Sequence, residues 1–213
     1  MKFSVFSDIL SKIGKKPLPG RASHLKMVSA QRAKILNDPS KFSKNPKKAA
    51  VLAAFYPDQN EETHLLLIKR QGGKDVHAHQ IALPGGQYEP SDIDLKETAL
   101  REAFEEVGIL QTQVRSIIAL SAVYIPPSNF LVQPYMALYD KQMPFVLETS
   151  EVHSVIEVPL ALLVREDIVK TQWVQLSHSA KIKVPGFAIG NELVWGATAM
   201  MLSEIRTLLN DAL

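Results

Sequence analysis

The constraint that weighs most on this chain is the run Arg101-Glu102-Ala103-Phe104-Glu105-Glu106-Val107-Gly108-Ile109. At about 100° per residue, a helix places Glu102, Glu105 and Glu106 within one arc of roughly 100°, with Leu100, Ala103, Phe104 and Val107 on the opposite side. One side is a core stripe, so the helix must lie against something apolar. The other is a band of like charge. Carboxylates at i,i+3 and i,i+4 without an intervening lysine repel by on the order of a few tenths of a kcal/mol per pair, and by more where water is excluded. A hard divalent cation such as Mg²⁺ or Mn²⁺ offsets that repulsion, because it takes oxygen ligands and keeps waters that yield to substrate phosphates. An acidic solvated face is the plainer account of the same residues, and the run alone leaves both open.

The surrounding pattern supplies a scaffold for such a helix. Helical spacing predicts helices over 3–14, where Phe3, Phe6, Leu10 and Ile13 recur, and over 24–37. Strands are expected at 49–56, 64–70, 80–83, 114–124, 130–139 and 151–158, with the acidic helix at 94–107, stopped by Gly108, and a last helix at 197–209. Strands and helices mixed without regular alternation predict an α/β (α+β) fold, either α+β or a sandwiched α/β/α layout, rather than a doubly wound sheet. A single domain is expected from 213 residues.

Charge is distributed unevenly. Up to Lys48 the chain carries twelve Lys or Arg against Asp8 and Asp38, while the whole chain is only +2, so a basic arm precedes an acidic body. Such an arm is either solvated or a patch for an anionic substrate, nucleic acid or a membrane surface. No helix-turn-helix, zinc-finger or RNA-recognition signature accompanies it, which argues against nucleic acid. No apolar run reaches the roughly 18 to 20 residues of a membrane span and the first residues lack a secretory pattern, so a soluble, cytoplasmic protein is expected. The chain has no cysteine, which excludes disulfides and thiolate chemistry and leaves oxygen and imidazole as metal ligands.

Gly85-Gly86, followed by Asp92 and then Arg101 to Ile109, resembles the signature of the Nudix hydrolase family: Gly, five residues, Glu, seven residues, Arg-Glu-U-x-Glu-Glu-x-Gly-U, where U is aliphatic. Fourteen residues rather than thirteen separate Gly86 from Arg101, and Asp92 stands for the intermediate Glu. The longer spacing is similar to that of the coenzyme A diphosphatase group. So are Leu65 to Arg70 and His77-Ala78-His79-Gln80-Ile81-Ala82-Leu83-Pro84-Gly85-Gly86 upstream, and Val194-Trp195-Gly196-Ala197-Thr198-Ala199 downstream. His79 stands where that group usually has Gly, and Asp75 where a basic residue is common.

The resemblance implies an α/β/α Nudix sandwich with a mixed sheet over 46–213, preceded by a helical extension over 1–45. It also implies hydrolysis of a nucleotide diphosphate such as CoA or acyl-CoA. ADP-ribose, dinucleotides and nucleoside triphosphates are the alternatives, and a binding module without chemistry or a nucleic-acid binder stands further off. It assigns Glu102, Glu105 and Glu106, with the Gly86 carbonyl, to Mg²⁺ or Mn²⁺, and Arg101 to orienting them, paired with a carboxylate such as Asp92. The base is either a glutamate of the run or Glu151, which otherwise is a solvated residue opening a strand. Arg70, His77, Gly85, Ser128 and Phe130 are the candidates for substrate binding. His77 and His79 either meet phosphate or line a loop. Phe130, in Pro126-Pro127-Ser128-Asn129-Phe130, either stacks on a base or opens a buried strand. Lys69 and Arg70 either meet phosphate or are solvated, and Trp195 is read as a packing anchor for the last helix. From the charge asymmetry, at least one of Arg21, Lys26, Arg32, Lys47 and Lys48 is expected at the substrate phosphates, within one chain or across a homodimer.

Overall fold

The computed structural model describes residues 1–38, 42–72, 79–141, 144–176 and 181–212. Alternation along two strands organises the molecule. In β1 (Lys47–Pro57), Ala49, Ala53 and Phe55 face one side while Ala50, Leu52, Ala54 and Tyr56 face the other. In β2 (Thr63–Arg70), Leu65 and Leu67 oppose Leu66 and Ile68. Both faces are buried, so the sheet must be covered twice.

The covers are helices. α1 (Phe3–Ile13) buries Phe3, Phe6, Ile9, Leu10 and Ile13 on the first face, where the rings of Phe6 and Phe55 stand 4.7 Å apart. α6 (Gly196–Asn210) joins it with Ala199, Leu202, Ile205 and Leu209. On the second face lies α4 (Leu95–Val107), through Ala99, Leu100, Ala103 and Val107. This is a mixed α/β fold with helices on both sides of a mixed sheet. Phe104 departs from the expected core stripe and is 52% exposed, because only the arc centred on Ala99 and Ala103 meets the sheet.

β1 is central. It runs parallel to β7 (Phe130–Tyr139) from Lys47↔Phe130 to Phe55↔Leu138, and antiparallel to β2 and to β4 (Gly85–Gln87). β2 also pairs with β3 (Ile81–Ala82) and β8 (Val152–Pro159); β7 also pairs with β5 (Val114–Ala119) and β6 (Val123–Ile125). The single strand expected over 114–124 is therefore two. Pro134 of β7 has no N–H to offer at the break, and the Gln133 side chain donates through Nε2 to the Leu120 carbonyl at 2.6 Å instead. The expected helix over 24–37 is also divided, into α2 (Arg21–His24) and α3 (Ala30–Leu36), with a 3-10 turn and Ser29 between them. α5 (Leu160–Leu163) is a single turn after β8.

A second antiparallel sheet was not expected from the sequence: β9 (Val169–Gln175), β10 (Lys181–Ile189) and β11 (Glu192–Trp195), whose last strand runs directly into α6. The N-terminal segment is fastened to α6 through Glu204, which is fully buried. It accepts from the Gly20 amide at 3.0 Å and the Ser121 amide at 3.1 Å, and its other contact is His24 Nε2 at 3.1 Å. Burial pushes the Glu204 carboxyl up, yet His24 and Ser121 outweigh burial and leave it below its usual value. Among the described residues no helix is long and apolar enough to cross a membrane.

Candidate active site

α4 is held at both ends. Asp94 accepts from the Glu97 amide at 2.8 Å as its N-cap, and Gly108, at φ 74°, lets its own amide return to the Phe104 carbonyl at 2.8 Å. Between them the acidic side of the helix faces the glycine strand β4. Gly85 has φ 150°, and a Cβ there would stand 2.3 Å from the Ala50 carbonyl oxygen. At Gly86 a Cβ would stand 2.4 Å from the Glu102 carboxylate. Only a strand without side chains lets the carboxylates approach the backbone so closely.

Glu106 is 2% exposed and accepts from the Gly85 amide at 2.8 Å, with Arg70 NH1 at 3.4 Å. Burial pushes its carboxyl up to about 7, against the pull of the Gly85 amide and Arg70. Burial also raises the Glu102 carboxyl, although Arg101 opposes this. Glu105 is largely exposed.

Arg101 organises the group. Its Nε and NH2 grip Asp92 at 2.8 and 3.0 Å, NH2 also reaches the Gln87 carbonyl at 3.1 Å, and NH1 donates to Glu102 at 2.9 Å and Glu105 at 3.1 Å. Bidentate contact with Arg101, helped by the Glu89 amide and the Thr98 hydroxyl, holds the buried Asp92 carboxyl well below the usual range.

These residues form one wall of a cleft of about 1550 Å³. Arg70, Gly85, Gly86, Arg101, Glu102, Glu105, Glu106 and Glu151 all line it, as do His79, Ser128, Phe130 and Trp195. His77 lies outside the described residues. Lys69 is paired with Glu192 at 2.5 Å. Trp195 lines the cleft from the N-cap of α6. Of the five basic residues singled out in the N-terminal part, Arg32 alone is a lining residue; Arg21, Lys26, Lys47 and Lys48 are exposed, and Lys47 lies over the Phe130 ring at 5.6 Å.

Sequence reasoning missed the apolar lining. β9 contributes Val174, Leu176 follows it, β10 contributes Ile182 and β11 contributes Leu193, so apolar side chains line the cleft together with the carboxylates.

The model of the NUDIX domain matches residues 46–185. The chain belongs to the Nudix family. A Nudix hydrolase NudL of Yersinia enterocolitica is 31% identical over 175 residues, covering 81% of this chain and 86% of that protein. A second, from Yersinia pestis, is 31% identical over 178 residues, covering 80% and 84%. Among solved structures, a MutT/nudix family protein from Enterococcus faecalis superposes with a TM-score of 0.54 at 17% identity, over 85% of this chain and 70% of its own. RenU, a Nudix hydrolase from M. smegmatis, gives 0.51 at 17% identity, over 78% and 87%. Those two likenesses concern the fold. The Nudix chain is a hydrolase of the diphosphatase type, a class that generally works with divalent metals such as Mg²⁺ or Mn²⁺.

The donor set of this Nudix site suits such an ion. Three carboxylates share one helix side, and two of them are held above their ordinary pKa by burial, the condition a nearby cation relieves. Among the described residues no three His, Asp or Glu side chains converge on one point in ligating geometry. Glu102 and Glu105 are instead drawn to Arg101, and Glu106 to the Gly85 amide.

Proposed function

We propose that this Nudix hydrolase cleaves the diphosphate linkage of CoA or acyl-CoA, giving 3′,5′-ADP and (acyl-)4′-phosphopantetheine. The observation that carries the reading is the shape of the cleft. Its carboxylates suit a metal-bound diphosphate, and about 1550 Å³ bounded in part by Phe130, Trp195, Val174, Ile182 and Leu193 has room for a nucleotide and an extended thiol arm. The resemblance of residues 77–86 and 194–199 to the coenzyme A diphosphatase group supports the same substrate.

In this reading Glu102, Glu105 and Glu106, with the Gly86 carbonyl, hold Mg²⁺ or Mn²⁺, which supplies neutralisation of the diphosphate charge. Arg101 orients Glu102 and Glu105 and is itself fixed by Asp92, so it acts on position rather than on the bond. A water oxygen joins one phosphorus, the bridging P–O bond breaks, and the water's proton passes to a carboxylate, with Glu151 as the base outside the helix. Arg70, Gly85 and Phe130 line the substrate path, and Phe130 offers a face for adenine. The first 45 residues act as an extension of the catalytic domain at 46–213.

The test is purified protein with Mg²⁺ or Mn²⁺ against CoA, acetyl-CoA, ADP-ribose, NADH and 8-oxo-dGTP, with products identified by mass. The expected result is 3′,5′-ADP from CoA at the highest kcat/KM. Faster turnover of ADP-ribose, NADH or 8-oxo-dGTP would assign the site to that substrate instead.

A further inference from the structure

Arg32 is the anomaly of the cleft. Its backbone amide donates to the Ser29 hydroxyl that caps α3, and helical spacing places it on the same side as Ile35 and the buried Leu36. The side chain is thereby turned inward. Its Nε and NH2 are shielded from solvent and have no hydrogen-bond partner among the described residues. The two other arginines that line the cleft differ: Arg101 holds Asp92, Glu102 and Glu105, and Arg70 meets Glu106. Two guanidinium nitrogens kept from water and given no acceptor are costly, and burial pulls the pKa of the group down accordingly.

A second orphan lines the same cleft. The Ser128 hydroxyl, in the turn between β6 and β7, is also shielded and without a partner among the described residues. Thr63 Oγ1 and Arg206 Nε are orphaned too, but neither lines the cleft. Two unsatisfied polar groups, one a planar cationic fork and one a hydroxyl, thus line the same cleft as the carboxylates. A guanidinium fork suits a phosphate monoester, which can accept two parallel N–H bonds, and a hydroxyl adds a third donor.

We propose that Arg32 and Ser128 form a second anion subsite in the cleft, separate from the carboxylate cluster, which binds a phosphate monoester carried by the substrate in addition to its diphosphate. The inference rests on the diphosphatase reading above and narrows it: the preferred substrate is a nucleoside diphosphate derivative phosphorylated elsewhere on the nucleoside. CoA, with its 3′-phosphate, has that chemistry. The N-terminal segment then contributes to specificity as well as to the core.

The test compares CoA with dephospho-CoA, which lacks the 3′-phosphate, in the full chain and in R32A, R32K and S128A. In R32A the ratio of kcat/KM for CoA over dephospho-CoA should fall by about tenfold or more, mainly through KM. R32K, which keeps the charge but loses the fork, should recover part of the ratio, and S128A should lower it by a smaller factor. Wild-type preference for CoA should weaken with salt. An unchanged ratio in R32A overturns the subsite.

Binding without turnover separates this inference from the reading beneath it. Calorimetry should give wild type a clear preference for 3′,5′-ADP over 5′-AMP that R32A loses. If the wild type hydrolyses neither CoA nor dephospho-CoA, the substrate assignment fails, while that nucleotide preference still upholds the subsite. Equal affinity of the wild type for the two nucleotides overturns the subsite whatever the enzyme hydrolyses.

Discussion

At the scale of single residues, the site turns on how far each carboxylate is buried. Glu106 is shut in and Glu105 open, although the sequence sets them side by side. E102Q or E106Q should lower Mg²⁺- or Mn²⁺-dependent turnover about a hundredfold or more, measured at saturating metal, while far-ultraviolet circular dichroism stays that of the wild type. Glu106 also links stability to pH. Its carboxyl is raised from 4.5 to about 7 in the folded protein, so between those values the folded state binds more protons than the unfolded one. Its contribution is full below about pH 4.5 and is lost as pH rises through 7, by on the order of 3 kcal/mol. Urea titrations of metal-free protein between pH 4.5 and 8 should show this decline, and E106Q should flatten it. Residue identity was legible in the sequence; the burial that separates Glu106 from Glu105 was not, because it depends on which side of α4 the glycine strand approaches.

At the scale of elements, β4 and α4 form one unit, and the two glycines of β4 serve it differently. A Cβ at Gly85 meets backbone, the Ala50 carbonyl and the Val51 Cα, at a φ that side chains rarely adopt. A Cβ at Gly86 meets the movable end of Glu102. G85A should therefore destabilise the fold by about 2 kcal/mol or more in urea unfolding. G86A should cost much less stability but should cut activity severely, since the carboxylate must leave its position. Equal effects of the two on both measurements would mean that the strand does not divide its work this way. α4 was readable because the stop at Gly108 and an apolar stripe correct except at Phe104 agree. β9 was not: Lys170 to Trp173 are exposed, so the strand carries almost no apolar alternation. The orphaned atoms of Arg32 and Ser128 leave no sequence trace either, because a missing partner is a property of three-dimensional surroundings.

At the scale of the whole molecule, two cores share one sheet. The strands at 49–56 and 64–70 were expected from the sequence, but which helix covers which of their faces depends on long-range pairing. Leu10 and Ile13 are completely buried between α1, the sheet and α6, so L10A should cost about 2–5 kcal/mol in urea unfolding, the loss of a well-packed core leucine rather than of a tail residue. A loss below about 1 kcal/mol would mean that α1 rests loosely on the sheet. The same packing has a consequence during synthesis. α6, which closes the face that α1 occupies, is translated about 180 residues after it. At roughly 5–20 residues per second, the nascent chain carries the Phe3, Phe6, Leu10 and Ile13 stripe uncovered by α6 for on the order of ten seconds or more. During that interval the stripe is transiently exposed apolar surface, the kind that promotes aggregation unless it is shielded.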